Sequence, residues 1–297
     1  MKLKHWIKAM RLRTLPLATS CILVGSGFAF ASGFFSWSIF WGMLSTMILM
    51  QILSNFANDL GDAQKGTDND QRLGPERAIQ SGVISKSEMK IAVVITAVLS
   101  FASGFWTLNQ ANNLSDLSWW IILGFGTASI AAAIGYTVGK KAFGYLGLGD
   151  AAVLLFFGPI AVISTGLLHG LEWSTPLLVA SLATGLWSTG VLNLNNLRDI
   201  ENDAASGKNT LAVKFGYKNG LVYHHILILM GLSVWLFLFN YESGAIGLIL
   251  ALVSIHFSSI KKKKCDPAKL NGLLPQLAIF TFLLSITYFV GTVYDIL

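Results

Sequence analysis

Residues 37–68 read WSIFWGMLSTMILMQILSNFANDLGDAQKGTD. From Trp37 to Asn58 the stretch carries no charged side chain, and about 20 such residues suffice for a helix to cross a bilayer. The ten residues that follow hold three aspartates and one lysine. A membrane span therefore delivers an acidic cluster to an aqueous surface. The pattern recurs at 174–194, an apolar run that ends in Asn195-Asn196-Leu-Arg198-Asp199-Ile-Glu-Asn-Asp203, followed by Gly207 and Lys208.

The rest of the chain agrees with a membrane reading. Of its 297 residues, 54% are hydrophobic and 12% charged, about half the charge of an ordinary globular protein. That composition excludes a disordered chain, a disulfide scaffold and a typical cytosolic enzyme. The apolar stretches run without period-two alternation, so they read as helices and not as barrel strands. Apolar runs fall at roughly 15–35, 37–58, 89–109, 118–137, 146–168, 174–194, 219–239, 243–260 and 272–294. Polar breaks separate them, among them Asn112-Asn113, Lys140-Lys141 and Asn240-Tyr241-Glu242. The expected fold class is all-α: a polytopic membrane protein of nine transmembrane helices in one bundle, a single domain over 1–297. Its cap loops should run over about 59–88 and 195–218.

Charge supports that count and orients the bundle. With nine spans, all 21 lysines and arginines fall on one side, in the N-terminal segment and four alternate loops, Lys261 to Lys264 included. The positive-inside rule makes that side cytoplasmic, with the N-terminus inside, the C-terminus outside and the acidic clusters at the inner face. Trp37, Trp41, Trp106, Trp119, Trp120, Trp173 and Trp235 fall near the opposite helix ends, as an interfacial belt would. Basic loops facing anionic lipid account for the net charge of +6 without a nucleic-acid partner. The segment from Lys2 to Arg13 should lie along the inner interface before Pro16 opens the first span, which reads as a retained span and not a cleaved leader. Cys21 in that span and Cys265 in a lysine-rich loop have neither disulfide nor zinc spacing.

Eleven of the fifteen acidic residues fall on the cytoplasmic side; Asp116, Glu172, Glu242 and Asp295 fall on the other. If the helices continue past the membrane boundary, Asn55, Asp59 and Asp62 share one face at i, i+4 and i+7, and Asn195, Asp199 and Asp203 share another. Two stripes of hard oxygen ligands would then face each other across a cavity. Carboxylates stacked so closely repel unless a cation or a proton intervenes. Magnesium suits the set, because it accepts carboxylates while keeping waters and substrate phosphate oxygens. Lys65, Arg72, Arg198 and Lys208 beside the stripes would complete a diphosphate site.

These residues resemble the UbiA superfamily of intramembrane aromatic prenyltransferases, and more closely its menaquinone branch. The likeness rests on Arg13-Thr14-Leu15-Pro16, on Asn58 to Asp68 continuing through Arg72, Gly74-Pro75 and Arg77, on Gly144-Tyr145 to Asp150, on Phe156-Phe157-Gly158-Pro159, and on Asn196-Leu-Arg198-Asp199 through Thr210-Leu211. Two departures stand out. Asp68 lies six positions after Asp62 where the general pattern has four, a form associated with the menaquinone branch, and Leu146 stands where that branch is often basic.

The resemblance implies a UbiA-like bundle that moves a polyprenyl group from polyprenyl diphosphate to 1,4-dihydroxy-2-naphthoate, with loss of CO2. Asn58, Asp59, Asp62, Asp199 and Asp203, joined by Asp68, would hold two Mg2+ ions on the diphosphate. Arg198, Lys208, Lys65 and Arg72 would bind the diphosphate itself, and Asn195 and Asn196 the substrate. Lys140 or Arg198 would hold the naphthoate carboxylate. Tyr136 would either stabilise the allylic cation through its ring face or anchor the interface. The same chemistry on hydroxybenzoate or homogentisate, and a cation-coupled transporter with the carboxylates as ion sites, are the competing readings. Against a transporter stands the placement of charge at one surface and not at the midplane. Gly25, Gly27, Gly185 and Gly190 read as helix contacts or a tunnel wall. The five histidines read as satisfied or interfacial.

Overall fold

The computed structural model describes residues 2–69, 72–112, 114–240, 243–262 and 266–294. Asn113, Tyr241, Glu242, Lys263, Lys264, Cys265 and Asp295, singled out in the sequence, lie outside the described residues. The elements are α1 (Lys2–Met10), α2 (Leu15–Ala31), α3 (Trp37–Lys65), α4 (Lys86–Asn109), α5 (Asp116–Gly135), α6 (Gly149–Leu155), α7 (Ala161–Leu168), α8 (Thr175–Arg198), α9 (Ile200–Ala205), α10 (Leu211–Leu238), α11 (Ser243–Lys262) and α12 (Leu273–Val293). Among the described residues nine helical segments are long and apolar enough to cross a membrane, α6 and α7 forming one of them. The expected nine spans are met.

Local chemistry sets the ends. The Ser85 hydroxyl accepts from the Glu88 N–H while the Glu88 carboxylate accepts from the Ser85 N–H, a capping box that opens α4. Ser115, Ser174 and Thr210 cap α5, α8 and α10 in the same sense. Gly66, with φ of +73°, closes α3 in the left-handed region. α3 thus runs seven residues beyond its apolar run, so the first loop covers 66–85 and not 59–88. The second covers 199–210, around the short α9. The run expected from 219 begins at Leu211, with a break at Gly216.

The fifth span is irregular where the sequence reads Phe156-Phe157-Gly158-Pro159. A π-turn (Phe156–Ile160) joins α6 to α7, and Pro159 has no N–H to give. Within this turn the Phe157 carbonyl accepts from side chains, the Thr184 hydroxyl at 2.8 Å and the Cys21 thiol at 3.1 Å. In lipid a bare carbonyl is costly, so α2 and α8 are drawn against this turn. A Cβ at Gly185 would come within 2.8 Å of the Leu154 carbonyl, which is why that position on α8 is glycine. The Gly25, Gly27 and Gly190 positions are likewise crowded by neighbouring helices, so packing is their role.

α2 packs on α12 and α7, α3 on α4, and α8 on α10. The outward faces of α4 and α5 present Ile91, Val94, Ile95, Val98 and Leu117 exposed, which suits lipid and not water. Trp37, Trp41, Trp106, Trp120 and Trp173 are also exposed, but Trp235 is fully buried against Trp187 and Phe239. Trp235 is a core residue; the belt reading fails there because its face of α10 turns toward α8. His224 and His256 pair at 2.9 Å between α10 and α11, and His256 meets Gln276 of α12 at 3.2 Å. His169 lies between the Ser26 hydroxyl and the Ser36 N–H.

Candidate active site

The last turns of α3 set Asn55, Asp59 and Asp62 on one buried face, as their spacing requires. Asn55 donates to the Met10 carbonyl at 2.9 Å and to the Thr14 hydroxyl at 3.2 Å, fastening α3 to the chain between α1 and α2. Arg11, itself in the left-handed region with φ of +49°, reaches the Asp59 carboxylate from that segment. Arg77 enters from the first loop. It donates to Asp59, to Asp62 Oδ2 at 3.1 Å, and pairs with Asp68 Oδ1 at 3.1 Å. One guanidinium fan thus ties together three carboxylates.

The second patch departs from the expected continuous helix. α8 ends at Arg198 and Asp199 has non-helical φ and ψ of −98° and 16°, so α9 starts afresh at Ile200. Asp199 and Asp203 still approach one another through the Asp203 N–H to Asp199 carbonyl bond at 2.8 Å. The kink has a visible cause. Arg198 folds back to donate to both Asp199 oxygens, to Asn195 Oδ1 at 2.9 Å and to Asn271 Oδ1 at 3.0 Å. Lys208 Nζ lies 3.5 Å from Asp203 Oδ1.

The two patches converge. Arg72 stands between them, 3.5 Å from Asp68 and 3.7 Å from Asp199. Asn202 of α9 donates to the Thr67 carbonyl at 2.9 Å across the same gap. Below them opens a cavity of about 680 Å³. Its polar end holds Asp59, Asp62, Arg77, Asn196, Arg198 and Lys208; its apolar end reaches Met43, Met47, Leu108 and Ile122, deep along α3, α4 and α5. From Asn58 to Met43 the α3 wall runs about 22 Å at 1.5 Å per residue.

Charge at the mouth is concentrated and partly unsatisfied. Burial, and then the Asp62 charge, pushes the Asp68 carboxyl up to about 7. Burial pushes Asp203 up to about 6 against the pull of Lys208. Burial draws the Lys208 ammonium down, but Asp62, Asp203 and Asp199 together hold it above its ordinary value. Asp68 Oδ2, Asp203 Oδ2 and Asn196 Oδ1 are buried without a hydrogen-bond donor. Among the described residues no three His, Cys, Asp or Glu form a ready ion cage. The arrangement can therefore bind an anion on its guanidinium groups and a hard cation on its bare oxygens, above a long apolar chamber.

Asp59, Asp62, Asn58, Tyr136, Arg72, Asn195, Asn196, Arg198 and Lys208 all line the cavity. Asp68, Asp199 and Asp203 lie just behind them in the ion-pair network. Tyr136, at the end of α5, turns its ring into the cavity, edge-on to Phe143 at 5.4 Å. Lys65 lies outside the lining, its Nζ 4.2 Å over the Tyr145 ring. Lys140 is exposed and outside the lining, since α5 ends before it and the chain turns away. Sequence reasoning missed Arg77, Arg11, Arg13, Tyr145, Asn202 and Asn271. Arg11 was visible only as topological charge, and Arg13, Arg77 and Tyr145 stood in the motifs of the resemblance without a role. Arg13 lines the cavity and makes no ion pair among the described residues.

Comparison with known proteins places this architecture. The model of the UbiA prenyltransferase family matches residues 18–286. The chain is 39% identical to the 1,4-dihydroxy-2-naphthoate octaprenyltransferase of Haemophilus influenzae, over 98% of this chain and 96% of that protein. It is 41% identical to the enzyme of that name from Escherichia coli, over 96% and 94%. Among solved structures, a UbiA homolog from Archaeoglobus fulgidus bound to GPP and Mg2+ superposes with a TM-score of 0.63 at 18% identity, covering 96% of this chain and 99% of that one, a likeness of fold. Matched by the family model over most of its length and by these relatives almost end to end, this multi-pass membrane protein belongs to the UbiA prenyltransferase family.

Proposed function

We propose that the chain transfers a polyprenyl group from polyprenyl diphosphate to 1,4-dihydroxy-2-naphthoate, releasing diphosphate and CO2 and giving demethylmenaquinol. The observation that carries the reading is the meeting of two acidic patches and their arginines over one deep apolar cavity, in a chain whose near full-length relatives bear that activity in their names. The polar mouth would take the diphosphate and the chamber would take the tail.

The donor set fits magnesium. Asp68 Oδ2, Asp203 Oδ2 and Asn196 Oδ1 are buried acceptors without donors, and a magnesium ion shared with substrate needs only one or two carboxylates from the protein. Asn58, Asp59, Asp62, Asp68, Asp199 and Asp203 would hold two such ions. Bound there, magnesium would neutralise the charge that builds on the departing diphosphate. Arg11 and Arg77, now on the aspartates, would turn to the phosphate oxygens as the carboxylates take up cations. Arg72 and Lys208 would hold the same group from the other side.

Loss of diphosphate leaves an allylic cation, which the ring face of Tyr136 would stabilise while the enclosed chamber excludes water. Arg13, unpaired on the cavity wall, and the remaining N–H of Arg198 would orient the naphthoate carboxylate beside it. Lys140 faces away and is given no part. By the positive-inside rule the basic segments would face the cytoplasm, and the N-terminus and the mouth with them.

The test is turnover by the purified chain with polyprenyl diphosphate, Mg2+ and each of three acceptors: dihydroxynaphthoate, hydroxybenzoate and homogentisate. Prenylated, decarboxylated naphthol product from the first alone is expected. Turnover of another acceptor without the naphthoate would overturn the substrate assignment, and loss-free turnover in EDTA would overturn the role of magnesium.

A further inference from the structure

Tyr145 sits in the tight helical turn Phe143–Leu146, between the two loops that carry the acidic patches, and is 8% exposed. Its hydroxyl lies 2.7 Å from Asp62 Oδ1 and 2.6 Å from the Thr67 hydroxyl. A phenol has one proton, and the carboxylate is the stronger acceptor; Tyr145 therefore donates to Asp62 and accepts from Thr67. Asp62 Oδ2 is meanwhile taken by Arg77, so both oxygens of that carboxylate are fixed in direction.

The ring has separate work. Lys65 Nζ stands 4.2 Å from its centroid and Lys208 Nζ 5.6 Å. Two ammonium groups near one another repel, and the negative ring face offsets part of that repulsion. The Tyr145 carbonyl also accepts from the Asn209 N–H at 3.0 Å. One side chain and its backbone thus touch the segment after α3, at Lys65 and Thr67, and the segment after α9, at Lys208 and Asn209.

We infer that Tyr145 is the positioning residue that joins the two halves of the mouth, its hydroxyl aiming Asp62 at the cation and its ring seating Lys208 for the diphosphate. The inference rests on the proposed diphosphate chemistry and divides into two parts that mutation separates. Tyr145→Phe removes only the hydroxyl, whereas Tyr145→Leu removes the ring as well.

The experiment uses the full chain in lipid nanodiscs and reads three quantities: the Mg2+ concentration giving half-maximal turnover, the calorimetric affinity for inorganic pyrophosphate at saturating Mg2+, and the unfolding midpoint. In Y145F the half-saturating Mg2+ should rise about tenfold, as loss of a group that orients a ligand typically does, with pyrophosphate affinity held within about twofold. Y145L should in addition weaken pyrophosphate about fivefold, the scale of a lost cation–π contact. A purely packing role would shift the unfolding midpoint and leave the Mg2+ dependence unmoved. Wild-type Mg2+ dependence in Y145F overturns the first half, and pyrophosphate affinity in Y145L equal to that of Y145F overturns the second. If Y145L does not fold, Y145M, which also removes the ring, takes its place against Y145F with the same pyrophosphate readout. No Mg2+-dependent pyrophosphate binding by the wild-type chain would overturn the functional reading and this inference together.

Discussion

The ends of α3 and α8 begin from the same sequence idea, an apolar span running into asparagine and aspartate, and finish in different electrostatic states. α3 stays helical through Asp59 and Asp62 to Lys65, and its carboxylates are held by arginines that come from elsewhere in the chain, Arg11 and Arg77. α8 breaks at Asp199, whose carboxylate is held by its own neighbour Arg198, and beyond the break Asp203 Oδ2 and Asn202 Oδ1 are left bare. A straight helix needs imported cations to hold buried acids here, because the neighbour of Asp59 one turn on, Asp62 at i+3, is an acid too. A broken one can fold a basic residue back on the next carboxylate and turn the following turn of acids toward the gap. The α3 carboxylates Asp59 and Asp62 are compensated by the protein; Asp203 beyond the break keeps one oxygen poised for a cation.

If both patches serve one reaction, removing either must be severe. Asp59→Asn and Asp199→Asn should each lower kcat about 1,000-fold, the upper range for losing one group that stabilises developing charge. Steady-state turnover in nanodiscs checks this, and a tenth of wild-type activity in either variant breaks the idea of a shared site. Stability should distinguish them from Asp203→Asn. That substitution replaces a carboxylate with one bare oxygen, and it should lower the unfolding midpoint less than Asp59→Asn, which takes the anion from Arg11 and one of three carboxylates from Arg77.

Arg77→Gln probes the compensation directly. It leaves Asp62 and Asp68 short of their cation in a buried site, and breaking a buried pair by removing one partner costs about 3 kcal/mol. Turnover should fall about 100-fold through the lost contact to diphosphate. Added Mg2+ should restore part of the unfolding midpoint in this variant and little in the wild type, because the ion replaces the missing charge. A midpoint indifferent to Mg2+ would mean that the α3 carboxylates do not exchange guanidinium for metal.

Much of this comparison could be read before any coordinates, and the parts that could not have a common cause. Span number followed from apolar length and from the one-sided lysines and arginines, both of which are local or additive properties. The α3 stripe at Asn55, Asp59 and Asp62 followed from helical periodicity. Arg77 did not, because it reaches Asp59 from a loop where no period constrains direction. The break at Asp199 was hidden for a similar reason: Arg198 and Asp199 look helical in sequence, and only the fold-back onto Asn195 and Asn271 shows why the helix stops. Trp235 was misjudged since position along a helix is legible and facing is not. Tyr145 lay within a quoted motif, yet its partners are 78 and 83 residues away.

The smallest expected effect on chemistry lies outside the cavity lining, where α10, α11 and α12 are joined by a different polar device. His224 Nε2 and His256 Nε2 are 2.9 Å apart, so one must donate to the other and at least one ring is neutral; Gln276 then links His256 to Ser259. None of these four side chains lines the cavity. His256→Leu would take the side-chain partner from His224 Nε2 and from Gln276 Oε1 in a dry interior, a loss of about 1–3 kcal/mol. The unfolding midpoint should drop while kcat and both KM values stay within about twofold of wild type, because local losses of this kind couple weakly to distant groups. A large fall in kcat with an unchanged midpoint would mean that the histidine pair communicates with the mouth through α12, whose preceding turn holds Asn271 against Arg198. The division between the reactive cavity and the helix contacts outside its lining would then have to be redrawn.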